Sequence, residues 1–186
     1  MTNTILNYLS NSSAITYIVL ALLSLYLIIT FWIFLYRYFA LASMLKNEEK
    51  SLESLTSRDS SFSPLSQLNK CTNGIKSKEL LNACEISIIK DASSGISWLA
   101  IISSTSPFIG LFGTVVGILE SFAKFSSHSK VGFSVIAPAI SEALVATAAG
   151  IFVAIFAYTF HQVITRKVYE LNTYLKAQSE ILIAKG

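Results

Sequence analysis

The sequence predicts an all-α integral membrane protein, with three transmembrane helices that continue into helices in water. Two observations lead to that class. The first is composition: of 186 residues only 13% are charged and 53% are hydrophobic, with a mean hydropathy of +0.59, against roughly 25% charged residues in soluble domains. The second is where charge is missing. No charged residue precedes Arg37, none lies between Asp91 and Glu120, and between Lys130 and Arg166 there is only Glu142. These values exclude a disordered chain, a collagen-like chain and an ordinary soluble enzyme domain. A net charge of +3 is too small for a nucleic-acid-binding surface.

A helix needs about 20 apolar residues to cross a hydrocarbon core of about 30 Å. Three stretches qualify: 14–36 (AITYIVLALLSLYLIITFWIFLY), 96–119 (ISWLAIISSTSPFIGLFGTVVGIL) and 131–160 (VGFSVIAPAISEALVATAAGIFVAIFAYTF). None shows the alternation of a barrel strand, and a barrel needs about eight strands. The first stretch is too long for a cleavable signal peptide, and residues 1–13 carry no basic n-region. It therefore reads as a retained helix, with Tyr17, Tyr26, Trp32, Tyr36 and Tyr38 supplying interfacial aromatics.

Loop charge sets the orientation. Residues 37–95 hold eight Lys or Arg, 161–186 hold four, 120–130 hold two and 1–13 hold none. The positive-inside rule makes the first two segments cytoplasmic, so the N-terminus and the 120–130 loop are expected outside and the C-terminus inside.

The cytoplasmic segments read as helices. Leu41, Leu45, Leu52 and Leu55 recur at helical spacing, with Lys46, Glu48, Glu49, Lys50 and Glu53 on the other faces. Thr56–Ser63 breaks the pattern, and Ser63–Pro64 reads as an N-cap followed by proline at the first helical position. A further helix from about Lys78 aligns Leu80, Leu81, Cys84 and Ile88 and is expected to run into the second span. In the tail Val168, Leu171, Leu175 and Leu182 share a face. Cys71 and Cys84 fit no disulfide framework and no zinc pattern, so both are expected to be buried as small hydrophobes. No cofactor is expected.

Glu142 is the most informative residue. It lies 12 residues beyond Lys130, about 18 Å along a helix, near mid-bilayer, where ionised carboxylates are costly. A carboxyl held neutral there, yet able to ionise when water or a cation approaches, is a proton carrier; the plainer alternative is a hydrogen bond that glues helices together. The surroundings favour the carrier. The third span is rich in small residues (Ala139, Ala143, Ala146, Ala149, Gly150, Ala154), which permit close helix approach. Pro138, and Pro107 in the second span, each leave a carbonyl one turn earlier without its usual donor. Ser103, Ser106, Gly110, Thr114, Gly117 and Ser121 form a small, polar stripe that could line a wet path or could simply pack. No Lys, Arg or His lies inside the spans to neutralise Glu142, so a partner or a second copy is implied.

The segments SPFIGLFGTVVGILESF and APAISEALVATAAG resemble the two signature segments of the TolQ/ExbB/MotA family of proton-driven stator subunits, and most closely its TolQ/ExbB branch. The resemblance covers about residues 97–170; MotA-like members have four spans, unlike this chain. It implies a bacterial inner-membrane protein that forms a homopentameric ring around a dimer of a single-span TolR/ExbD-type partner carrying a membrane aspartate, with a TolA/TonB-type protein passing force to the outer membrane. It also implies that Glu142 is the pore glutamate, Thr114 and Thr147 line the pore, and Pro107, Gly110 and Gly113 form the bend of the second span. Five residues separate Glu142 from Thr147, about 140° around a helix, so the two need not share a face. The cytoplasmic loop is shorter than in the best-known members, and Val116 stands where tryptophan is common. Slight cues, the SPFIGLFG wording and the Tyr-Glu-Leu start of the tail, lean towards TolQ (envelope integrity and division) over ExbB (outer-membrane uptake). The competing functions are a proton-coupled small-molecule transporter, an intramembrane enzyme (no Gly-x-Ser-x-Gly or HExxH is present) and a passive scaffold.

Overall fold

The computed structural model describes residues 14–56, 66–73, 75, 77–126 and 133–185, with side chains throughout except at positions 14, 124–126, 133–136, 139 and 185. These residues form five helices: α1 (Ala14–Thr56), α2 (Gln67–Thr72), α3 (Lys78–Ala92), α4 (Ile96–Ser126) and α5 (Phe133–Lys185). Three helical stretches, in α1, in α4 and in α5, are long and apolar enough to cross a membrane, as the hydropathy blocks predict. At 43 and 53 residues, α1 and α5 have about twice the ~20 residues of a crossing. Helical backbone in α4 continues through Ser126, into the stretch read as the 120–130 loop. The Ser63–Pro64 cap and residues 1–13 lie outside the described residues.

The chain falls into two compact units, Met1–Phe31 with Trp98–Thr159, and Trp32–Ser97 with Phe160–Gly186. In the first, the membrane unit, a small core of Val19, Leu23, Ile102, Ala146, Val153 and Ala157 joins α1, α4 and α5. Its outward face stays apolar, with Ile18, Leu25, Phe108, Leu119, Leu144 and Ile155 all more than half exposed, as suits helices solvated by lipid.

The second, the loop-and-tail unit, has a leucine core. Leu41, Leu55, Leu68, Leu81, Leu171 and Leu175 are almost wholly buried, each worth about 1.5–3 kcal/mol in water. Phe34 stacks on Phe160 with ring centroids 3.9 Å apart, and the Lys167 ammonium lies 4.6 Å over the Tyr38 ring. Polar groups are buried here too. The Glu48 carboxylate accepts from the Ser66 hydroxyl (2.8 Å) and the Gln67 backbone N–H (2.6 Å) at the start of α2. The Gln178 amide donates to the Glu48 carbonyl (2.9 Å) and carboxylate (3.0 Å), and the Ser51 hydroxyl donates to Gln178 (3.3 Å).

Two expectations are corrected here. The helix from Lys78 does not run into the second span: α3 ends at Ala92, and Gly95 takes φ +82° before α4 begins, a conformation glycine adopts without strain. The Arg37 guanidinium donates to the Asp91 carbonyl at the end of α3 (3.2 Å). The cysteines are not separate buried hydrophobes. Cys71 at the end of α2 and Cys84 within α3 form a disulfide, with Cα atoms 5.9 Å apart. Their pairing depends on how α2 docks on α3, which residue spacing does not reveal.

Candidate functional site: the glycine seam of the membrane unit

The seam forms where α4 and α5 approach at backbone distance. A methyl group added at Gly110 would lie 2.7 Å from the Ala146 carbonyl oxygen, and one at Gly150 would lie 2.6 Å from that of Ser106. No larger side chain fits at this crossing, which is why both positions need glycine. Towards the C-terminal end of α4 the gap widens by small steps: Gly113 faces Ala146 and Val19, and Gly117 faces Ala143 and Thr16. The small-residue positions Gly110, Gly113, Gly117, Ala143, Ala146 and Gly150 thus meet in one interface, with α1 closing part of it through Thr16 and Val19. The sequence offered no sign of that α1 contribution, because Val19 looks like any other residue of an apolar span.

Hydroxyls in the seam are turned onto carbonyls. Ser106, fully buried, donates to Ile102 (2.6 Å), and Ser103 and Ser121 donate to carbonyls of their own helix. Thr114 differs. Its hydroxyl reaches across to the Ala143 carbonyl (2.9 Å) and pairs with the Thr147 hydroxyl, which also lies 3.3 Å from the Gly110 carbonyl. The structure therefore joins Thr114 to Thr147, the two threonines that the family resemblance marks together.

Glu142 is placed differently. At 100° per residue, Ala143, Ala146 and Gly150 share the face of α5 turned to α4. Thr147 flanks that face on one side, and Glu142 flanks it on the other, with Ala149. The glutamate is half-buried and its Oε1 atom is fully buried. The separation of about 140° between Glu142 and Thr147 persists in this chain, so they bracket the seam rather than share one surface.

Pro107 and Pro138 both lie inside continuous helices; Pro107 is half-buried and Pro138 exposed. The Ala139 side chain lies outside the described residues. Beside the seam, an open groove of about 440 Å³ runs between α1 and α5, lined by Leu23, Leu27, Ala149 and Val153 with Ser24 as its one polar side chain.

A model of the MotA/TolQ/ExbB proton channel family matches residues 40–177. The chain belongs to this family. It is a proton-channel family rather than an enzyme class, and its members include proteins named for the ExbB and TolQ systems. An ExbB-like 1 biopolymer transport protein of Helicobacter pylori is 44% identical over the full length of both chains. The biopolymer transport protein ExbB of Pseudomonas putida is 46% identical over 42% of this chain and 24% of its own. The Tol-Pal system protein TolQ of Haemophilus influenzae is 38% identical over 50% of this chain and 42% of its own. The chain is a multi-pass membrane protein of the family's proton-channel type.

Proposed function

We propose that this chain is the proton-channel subunit of a motor driven by the proton-motive force in a bacterial inner membrane, coupling proton flow to movement of a single-span TolR/ExbD-type partner. The observation that carries the reading is Glu142: a carboxyl with a buried oxygen in an otherwise uncharged span, set beside a glycine seam containing a paired threonine relay. In the working cycle Glu142 exchanges protons with a partner carboxylate, while Thr114 and Thr147 hold water or pass a hydrogen bond. One proton crossing 100 mV releases about 2.3 kcal/mol, so a few protons can drive a rearrangement of packed helices.

In this reading Glu142 exchanges protons with a carboxylate of another chain, which calls for an assembly. A homopentameric ring around a partner dimer, with a TolA/TonB-type protein transmitting the force, meets that need. The exposed apolar faces of α1 and α5 suit contact with neighbouring copies or with lipid. Loop charge supports a periplasmic N-terminus and a cytoplasmic C-terminus. The end-to-end match to an ExbB-like relative, against a half-chain match to TolQ, favours the biopolymer-transport system over the Tol-Pal system towards which the motif wording leaned. The apolar groove beside α1 lacks the converging polar groups that a substrate transporter needs.

The test is Glu142→Gln in vesicles reconstituted with the partner. Assembly is expected to survive while proton flux falls to background; flux at the wild-type rate would refute the role of the carboxyl.

A further inference from the structure

α2 is only six residues long, too short to persist on its own. Attachments along its length keep it in place, all within the loop-and-tail unit. At its N-terminal end Glu48 holds Ser66 and Gln67. Leu68 in its first turn and Thr72 at its end are buried. At its C-terminal end the Cys71–Cys84 disulfide ties it to α3. The two half-cystines differ in access: Cys84 is 3% exposed, whereas Cys71 is exposed. An incoming thiolate can therefore reach only one side of the bond.

We infer that the Cys71–Cys84 disulfide is a reversible redox latch on α2. The compartment rests on the topology proposed above, which puts residues 37–95 on the cytoplasmic side, where dithiol reductants keep most disulfides open. A bond reachable there at one sulfur is of the labile, regulatory kind. In the opening step a thiolate of a dithiol reductant attacks Cys71 Sγ. A mixed disulfide forms, the bond to Cys84 breaks, and Cys84 leaves as a thiolate and takes a proton. The second thiol of the reductant then attacks its own mixed-disulfide sulfur, and Cys71 leaves and is protonated. Two electrons pass to the protein and the reductant ends as a disulfide. Closing runs in reverse, with an organic disulfide as oxidant.

Opening removes the covalent attachment and leaves fewer than two turns of helix held by Leu68, Thr72 and Glu48. When α2 lifts, Glu48 loses the Ser66 and Gln67 donors and is left with Gln178 of α5, so the redox state of the loop reaches the tail.

The experiment is hydrogen–deuterium exchange on the full chain in lipid nanodiscs, oxidised and after dithiothreitol. Reduction is expected to speed exchange of amides 66–72 at least tenfold, with a smaller rise at 174–182 and no change at 110–114, and reoxidation should restore the slow rates. The Cys71→Ser/Cys84→Ser double variant should exchange like reduced protein and ignore dithiothreitol. Rates at 66–72 that agree within twofold in both redox states would overturn the latch. Separately, an impermeant maleimide should label the reduced cysteines only from the cytoplasmic face. Labelling from the periplasmic face would overturn the placement and the cytoplasmic reductant, while the exchange rates at 66–72 would still decide for or against the latch.

Discussion

The two units of this chain cohere by different means. The loop-and-tail unit hides leucines, a carboxylate–amide network and a covalent link. The membrane unit hides glycine, alanine and hydroxyls around a few aliphatic side chains such as Leu23 and Ile102, and leaves many of its large side chains exposed. The difference follows from the solvent. In water, burying a leucine removes apolar surface from an unfavourable environment. In lipid that gain disappears, since acyl chains solvate leucine as well as a core does, and association depends on close van der Waals approach and hydrogen bonds between helices. The same chain therefore obeys two packing rules, and α1 and α5 obey both along their length.

That contrast can be broken at single residues. The largest effect is expected at Leu171, which is fully buried. Leu171→Ala should cost about 2–5 kcal/mol, seen as early proteolysis of the loop and tail, whereas truncating the exposed Leu144 to alanine should barely change the stability of the single chain. Gly150→Ala should cost about 1–3 kcal/mol by overpacking, because its methyl group meets the Ser106 carbonyl at 2.6 Å. The melting temperature of the detergent-solubilised protein is the measurement, and Gly95→Ala, strained by its φ of +82° rather than by crowding, is a useful comparison. Thr114→Val keeps the shape and removes one interhelical donor, so a loss of about 0.6 kcal/mol, at most about 1.7, is expected, with a larger fall in proton flux if the hydroxyl relays protons.

The smallest effect concerns Glu85 in α3. Burial pushes its carboxyl above the ordinary range, Lys176 opposes this, and Glu180 adds to it. The folded chain thus binds this proton more tightly than the unfolded chain. The contribution to stability is greatest at low pH and is lost as pH rises from the ordinary carboxylate range through the raised folded value. Glu85→Gln should therefore gain stability relative to wild type across that window; denaturant midpoints at several pH values measure it, and parallel curves would show that Glu85 does not couple folding to pH.

Much of the architecture could be read from residue patterns. The gaps in charge located the membrane-capable helices, and helical spacing picked out Leu41, Leu45, Leu55, Leu171 and Leu175, which are buried, along with Leu52 and Leu80, which are only half-buried. The break at Ser93–Gly95 was harder to see, since the apolar periodicity on either side hides a single residue with positive φ. Within the seam, Gly110, Thr114 and Gly150 stood out by composition, and Thr147 only through the family resemblance. Their joining did not, because residues 110 and 150 meet only once α4 and α5 cross. Glu48 and Gln178 carried no signal at all: a charged residue and an amide on amphipathic helices look solvent-facing until tertiary packing covers both.

By itself the amino-acid order determined what local chemistry can dictate: which stretches tolerate lipid, which faces are apolar, where an acid interrupts an uncharged span, and which motifs mark the family. Only the tertiary structure decided which distant groups touch: Thr114 with Thr147, Glu48 with Gln178, Cys71 with Cys84. The physical reason is range. Hydropathy and helix propensity act over a few residues and leave a periodic trace, whereas a hydrogen bond or a disulfide between helices depends on a crossing point and a rotation that many side chains set together.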